Sequence, residues 1–322
     1  MTEESKSAVV AAMGANFAIA VGKLGAGLLT GSAALLAEAG HSVADTVNQI
    51  FLLVGINLAD SEPDASHPHG YGKEAFFWAF LAAIFIFVAG AAFSFYEGGR
   101  TMIQNDIHER SSRDLVIAYG VLGMAFLFES ISFVVAIRGL WKGARRKGWS
   151  IVRYLRKSPD LATKTVFWED GAALTGLAVA AVGLFLSEAT GNEHWDGAAS
   201  LVIGVVLAMV ALILGIQARH LLIGAAAGPE TLAGIDGVLA RFPEVEAIPR
   251  MLTMQIGSSS VLVTGELQIS DRLTLSEAER LIERIDSELA TEVPEIHDTY
   301  WEIKRRPGAS APRNDRNSPR DS

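Results

Sequence analysis

Six apolar blocks, each about as long as a bilayer is thick, constrain this chain more than any other feature. A helix that crosses the hydrocarbon needs about 20 mostly apolar residues, and the blocks fall at 9–29, 34–58, 75–96, 115–137, 161–186 and 198–222. Lipid offers the backbone no hydrogen-bond partner, so such blocks must be helices. Half of the 322 residues are apolar and 20% are charged, against about a quarter charged in an ordinary soluble domain. Many of the 31 glycines lie inside the blocks, which suits close helix packing in lipid. There is no Cys, which excludes a disulfide scaffold, a thiolate metal site and a Cys nucleophile. A net charge of −9 argues against a nucleic-acid binder.

Lys and Arg in the short loops set the orientation. The loop after span 4 carries Arg138, Lys142, Arg145, Arg146, Lys147, Arg153, Arg156 and Lys157, whereas the loops after spans 1 and 5 carry neither residue type. The span 4 loop is therefore expected in the cytoplasm, and six spans then place both termini there. The opening MTEESKS is short and acidic, unlike the basic start of a cleavable signal peptide. The expected location is the cell's inner (plasma) membrane, as a multi-pass protein.

Beyond the last block the pattern changes. Residues 231–241 predict an amphipathic helix, and 251–256 and 261–269 alternate as strands around a Gly-Ser-Ser-Ser turn. TLSEAERLIERIDSELA places apolar residues at helical spacing behind Thr274, with Glu277 three residues on, the pattern of a capping box. Residues 297–304 supply a third strand. The order α-β-β-α-β describes a small open-faced α+β domain. The expected organisation is a short cytoplasmic N-terminus at 1–7, a six-helix transmembrane domain at 8–223, a cytoplasmic domain at 228–305 and a polar, Pro-rich tail at 306–322 read as disordered.

Ionisable residues inside a span are expensive and usually face a bundle interior or a water path. Those found are Lys23, Glu38, His41, Asp45, Glu129, Glu169 and Asp170. Glu38, His41, Asp45 and Asn48 recur at steps of three and four, so they share one face of span 2. This stripe offers oxygen and nitrogen ligands without sulfur, which suits Zn²⁺ and also Mn²⁺, Fe²⁺ or Co²⁺. The bland alternative is a polar stripe that holds helices together or lines a water cavity. His41 and Asp45 make a two-ligand pincer that needs further donors, and Asp170 in span 5 is the obvious one. Glu169 sits about 100° away from Asp170 around the helix, so one is a ligand while the other is a proton site or a supporting group. Lys23 and Glu129 pair with each other, or Glu129 exchanges protons. In the loop after span 2, SEPDASHPHGYGKEAF, Asp64, His67 and His69 either collect a cation or form a solvated turn. His108, His194 and His220 read as interfacial residues, and Asp196 as a cap of the last span.

These stretches resemble the cation diffusion facilitator family of divalent-metal/proton antiporters. GSAALLAEAGHSVADTVNQ, HPHGYGKEAFFWA and WEDGAALTGLAVA carry the resemblance in the spans, and LTLSEAERLIERIDSEL carries it in the C-terminal domain. It covers about 8–305. The resemblance implies six transmembrane helices, with spans 1, 2, 4 and 5 bundled around the transport site and spans 3 and 6 toward a twofold axis. It also implies a ferredoxin-like cytoplasmic domain, a homodimer and alternating access. His41 and Asp45 match the family's span 2 ligands, and Asp170 matches the Asp of its span 5 pair.

Departures matter. The family's span 5 pattern has a His or Asp four residues before that Asp, and here the position is Val166. The Glu169–Asp170 pair, with Ala172 and Ala173 following Gly171, instead resembles the branch containing zinc transporter nine. Glu169, Asn48 or water then fills the gap, which widens the range of metals beyond zinc. Asp64 and His67 match an accessory site, but Tyr71 stands where a second His is common, leaving His69 as a substitute. One His and no Cys in the C-terminal domain imply a weakened or absent second metal site there.

The resulting expectation is a proton-coupled exporter of divalent cations, Zn²⁺ first, with no prosthetic group, no nucleic-acid partner and a lipid bilayer as its solvent. It is not an enzyme: no nucleophile–base pair or phosphate loop is found. A non-transporting metal sensor or scaffold is the alternative, and the Val166 gap gives it room.

Overall fold

The computed structural model describes residues 3–104, 110–158 and 160–304, with no side chain described before 14 or at 15 and 162. The chain divides into two compact units, Met1–Gly224 and Ala225–Ser322. The tail expected to be disordered, 306–322, and His108 lie outside the described residues.

The first unit is helical. It comprises α1 (Glu3–Thr30), α2 (Ala33–Ala59), α3 (Glu74–Phe85), α4 (Phe93–Gln104), α5 (Ser112–Arg146), α6 (Ile151–Lys157), α7 (Leu161–Thr190) and α8 (His194–Ile223). A π-helical segment, Ile86–Ala92, joins α3 to α4 without breaking the rod. Five helices among the described residues are long and apolar enough to cross a membrane: Ala33–Ala59, Glu74–Gln104, Ser112–Arg146, Thr163–Thr190 and His194–Ile223. In α1 the described apolar stretch is the shorter Asn16–Thr30.

Helices α1, α2, α7 and α5 pack in a ring, each against the next, while α3, the π segment and α4 lie against α8 and α2. The ring core is built largely from small side chains, among them Ala26, Ala34, Ala37, Ala44, Ala118, Ala125 and Ala173. Small residues let helix backbones approach where lipid gives no hydrophobic drive. The α4–α8 crossing is one instance: a Cβ on Gly98 would lie 2.7 Å from the Gly197 carbonyl oxygen.

The stretch after span 4, expected as a connecting loop, is mostly helical. Helix α5 continues to Arg146, with Arg145 and Arg146 in its last turn, where cations favour the helix dipole. Gly148 then adopts φ 63°, and Ser150 caps α6 through the Arg153 amide.

The second unit holds α9 (Pro229–Leu239), β1 (Val245–Gly257), β2 (Ser260–Ile269), α10 (Leu275–Glu292) and β3 (Ile296–Lys304). The three strands are ordered β1-β2-β3, with β1 antiparallel and β3 parallel to the central β2. The parallel pair needs a crossover, and α10 provides it. The expected capping box is present: Thr274 and Glu277 cap each other reciprocally. Ile235, Val238, Leu239, Val261, Val263, Leu267, Leu281, Ile285 and Leu289 form the core.

Candidate metal-transport site

The polar stripe of α2 faces the interior. Glu38, His41 and Asn48 are essentially inaccessible, and Asp45 is buried. Across from it on α7, Glu169 and Asp170 are buried as well, and Glu129 and Lys23 join them from α5 and α1. No ordinary hydrophobic core would gather eight such groups, since each pays a desolvation cost unless paired.

The pairing is specific. Lys23 Nζ lies 3.0 Å from Glu38 Oε2 and donates to Ser42 Oγ at 2.8 Å. This corrects the expected Lys23–Glu129 pair: one turn of α2 lies nearer the ammonium than α5 does. His41 Nδ1 is 3.4 Å from Asp45 Oδ1, at i, i+4 spacing. Asn48 Nδ2 donates to Glu169 Oε2 at 2.6 Å, and Ser132 Oγ donates to Asp170 Oδ2 at 2.7 Å. The adjacent Glu169 and Asp170 thus diverge, one toward α2 and the other toward α5, as their angular separation requires.

What these groups leave unused is equally specific. Both ring nitrogens of His41, Asp45 Oδ1, Asn48 Oδ1, Glu169 Oε1 and Glu38 Oε1 are buried with no hydrogen-bond partner. Asp45 lies within electrostatic reach of Glu169, Glu129 and Asp170. An inward-facing set of buried, idle lone pairs is a site that a cation would relieve. Among the described residues, however, no three His, Asp or Glu side chains are gathered closely enough to hold one ion.

The loop cluster differs. Asp64 Oδ1 accepts from the Ser66 amide, the Ser66 hydroxyl and the His67 amide at 2.7–2.8 Å. Its Oδ2 accepts from the Tyr71 hydroxyl at 2.7 Å. The His67 and Tyr71 rings lie 4.2 Å apart between centroids, and His67 Nδ1 stands 3.8 Å from Asp64 Oδ1. The Ser66 and Tyr71 hydroxyls hold the Asp64 carboxyl well below the usual carboxylate range, and the same bond pushes the Tyr71 phenol up. His69 sits on the turn with its own interactions.

Several polar partners escape a linear reading. Asp196 caps α2 rather than its own helix: Oδ1 accepts from Ser32 Oγ at 2.6 Å and Oδ2 accepts from the Ala33 amide. A carboxylate at a helix N-terminus satisfies otherwise orphaned amides. Arg110 donates to the Thr30 carbonyl, Ser187 and Glu193 at 2.7–3.1 Å, so the α4–α5 connection is tied to the ends of α1 and α7. Lys164, near the start of α7, is buried too. The signal for Ser132 was its position three residues after Glu129; the others had no local signal.

A helical ring enclosing a buried carboxylate–imidazole–amide set has the donor chemistry of a cation-binding site. The cation efflux transmembrane domain model matches residues 9–223, and the chain belongs to this family of metal transporters. It is 33% identical to metal tolerance protein C4 of Arabidopsis thaliana over 85% of this chain and 59% of that protein. It is 32% identical to the human mitochondrial proton-coupled zinc antiporter SLC30A9 over 76% of this chain and 43% of that protein. With the manganese efflux system protein MneP of Bacillus subtilis (strain 168) it shares 20% identity over 93% of this chain and 95% of that protein. The chain spans about half the length of the first two relatives. The match to the SLC30A9 group agrees with the branch that the Glu169–Asp170 pattern resembles.

Proposed function

We propose that this protein exports divalent cations from the cytoplasm in exchange for protons, with Zn²⁺ the preferred cargo and Mn²⁺, Fe²⁺ and Co²⁺ accepted. The observation that carries the reading is the buried stripe on α2 facing Glu169 and Asp170, whose lone pairs point inward unspent. His41, Asp45 and Asp170 are the ligands, and Glu169 or Asn48 supplies the donor that Val166 cannot. The names of SLC30A9 and MneP, a zinc antiporter and a manganese exporter, span the cargo that an oxygen-rich site accepts.

Proton coupling follows from the ligands. Each must be deprotonated to bind an ion, so metal and protons compete for the same atoms. The ligand set is too spread to hold an ion as it stands, so capture requires α2 and α7 side chains to close on it, and alternating access supplies that movement. Six spans, with α1 as the first, put both termini in the cytoplasm of a cell whose inner membrane holds the protein. Two copies form a homodimer whose ferredoxin-like C-terminal domains share the cytoplasmic side. The organisation is the one set out at 1–7, 8–223, 228–305 and 306–322. Asp64, His67 and His69 form a weak cation-collecting cluster, weak because Asp64 already accepts four hydrogen bonds.

The test is flux into proteoliposomes holding a metal-sensitive dye, with and without a pH gradient. Wild type shows gradient-dependent flux; Asp45→Ala and Asp170→Ala, reconstituted as intact protein, fall to the level of empty vesicles. Full transport by both variants removes the site assignment.

A further inference from the structure

The far end of α5 has a surface that metal transport leaves unexplained. Helix α5 has 35 residues, about 52 Å at 1.5 Å each, while the hydrocarbon is about 30 Å thick. The apolar block ends at residue 137, so the segment from Arg138 onward emerges at headgroup level. Arg138, Trp141, Lys142, Arg145 and Arg146 follow there at helical spacing and line one cleft of about 400 Å³. All are exposed, and the Arg145 guanidinium lies 4.0 Å from the Trp141 ring centre.

Two further observations give the cleft direction and rigidity. Towards the membrane, the same stripe of α5 continues as Met124, Leu127, Ile131, Val134 and Val135, all exposed apolar side chains. Residues three and four apart share a face, so an apolar track runs straight into the cationic cleft. Behind it, α6 folds back on α5. Tyr154 packs where a Cβ on Gly143 would sit 2.6 Å from its hydroxyl, and Leu140, Ala144, Trp149 and Tyr154 form a small core. The Tyr154 hydroxyl donates to Asp160 at 2.9 Å. Among the described residues, none of Arg138, Lys142, Arg145 or Arg146 is paired with a carboxylate. Loop charge that only orients a span needs neither a braced helix end nor a common face.

We propose that this cleft is a binding site for the headgroup of an anionic phospholipid, with the phosphodiester between Arg138, Lys142 and Arg145, the Trp141 ring beside it and an acyl chain along the apolar track. The apolar track is what favours a lipid over free phosphate. The proposal is independent of the metal reading.

The test uses the full-length protein in detergent, titrated with phosphatidylglycerol or phosphatidylcholine carrying brominated acyl chains. The expected result is stronger quenching of tryptophan emission by phosphatidylglycerol, with the difference lost in Trp141→Phe. Arg138→Gln/Lys142→Gln/Arg145→Gln weakens phosphatidylglycerol binding on the order of 100-fold, at about fivefold per cation near a membrane surface. Arg145→Gln alone, at an exposed helix end, keeps the fold and weakens binding about fivefold. Equal quenching by the two lipids, or a preference untouched by Arg145→Gln, overturns the proposal. Displacement of phosphatidylglycerol by millimolar inorganic phosphate also overturns it, in favour of a free-phosphate site.

Discussion

Two clusters of His and Asp sit on the same stretch of chain, one halfway along α2 and one just past its end, and they use their lone pairs in opposite ways. His41 and Asp45 are buried and leave nitrogen and oxygen atoms unpartnered. Asp64 is about half exposed, and both its oxygens are engaged by Ser66, His67 and Tyr71. The residue types are alike, but the first cluster leaves buried lone pairs without partners and the second satisfies itself through its own turn. Water explains the contrast. A loop carboxylate folds its neighbours' donors around itself at little cost, as in an Asx turn. A carboxylate inside the helical ring has only the partners that the other helices bring.

That contrast can be broken at several points. The largest effect should come from Lys23→Met, which strands Glu38 as an unpaired buried charge and should destabilise the protein by about 3–5 kcal/mol. Lys23→Met/Glu38→Leu should recover most of that loss in thermal unfolding. An equal loss in both variants would show that packing, not the ion pair, holds α1 on α2.

Next comes pH. Metal binding at the α2–α7 set should weaken by about tenfold per pH unit for each proton released, measured by titration of the reconstituted protein. The loop should not follow. Because the Asp64 carboxyl is held below its usual range, its stabilisation is present above the ordinary carboxylate pKa and is lost only as pH falls through its own lower value. Between about pH 7 and pH 5 the Asp64–Tyr71 hydrogen bond should therefore persist while metal is released. Parallel loss of both, followed by nuclear magnetic resonance of the Tyr71 ring, would merge the two clusters into one system.

A smaller effect is expected from Asn48→Ala. It removes the donor to Glu169 and should weaken metal affinity by about 10–100-fold, the range for a group that orients a ligand. A complete loss would promote Asn48 to a ligand. The smallest comes from Tyr71→Phe, which removes one of four bonds to Asp64 and should change flux by less than about twofold, as an ordinary surface substitution does. A larger change in flux would make the loop part of the transport path.

Much of the molecule was legible in advance because its signals are periodic. The blocks, the His41–Asp45–Asn48 stripe and the Thr274–Glu277 capping box each depend on spacing along one helix. The third strand and the α10 helix followed for the same reason. The helical form of the connection after span 4 had no periodic signal, because Tyr154 and Trp149 fold it onto Leu140 and Ala144 only in three dimensions. The π segment in the third span was invisible, since Ile86–Ala92 reads as any apolar helix.

The sequence by itself determined which helices form and which of their faces carry charge, because helix periodicity is a local property of the chain. Only the tertiary structure decided who meets whom. Lys23 took Glu38 rather than Glu129, Asp196 capped α2 rather than its own helix, and Glu169 and Asp170 turned to different partners. Those choices rest on which helix backbones approach closely, and that is set by small residues packing across the ring rather than by the charged residues themselves.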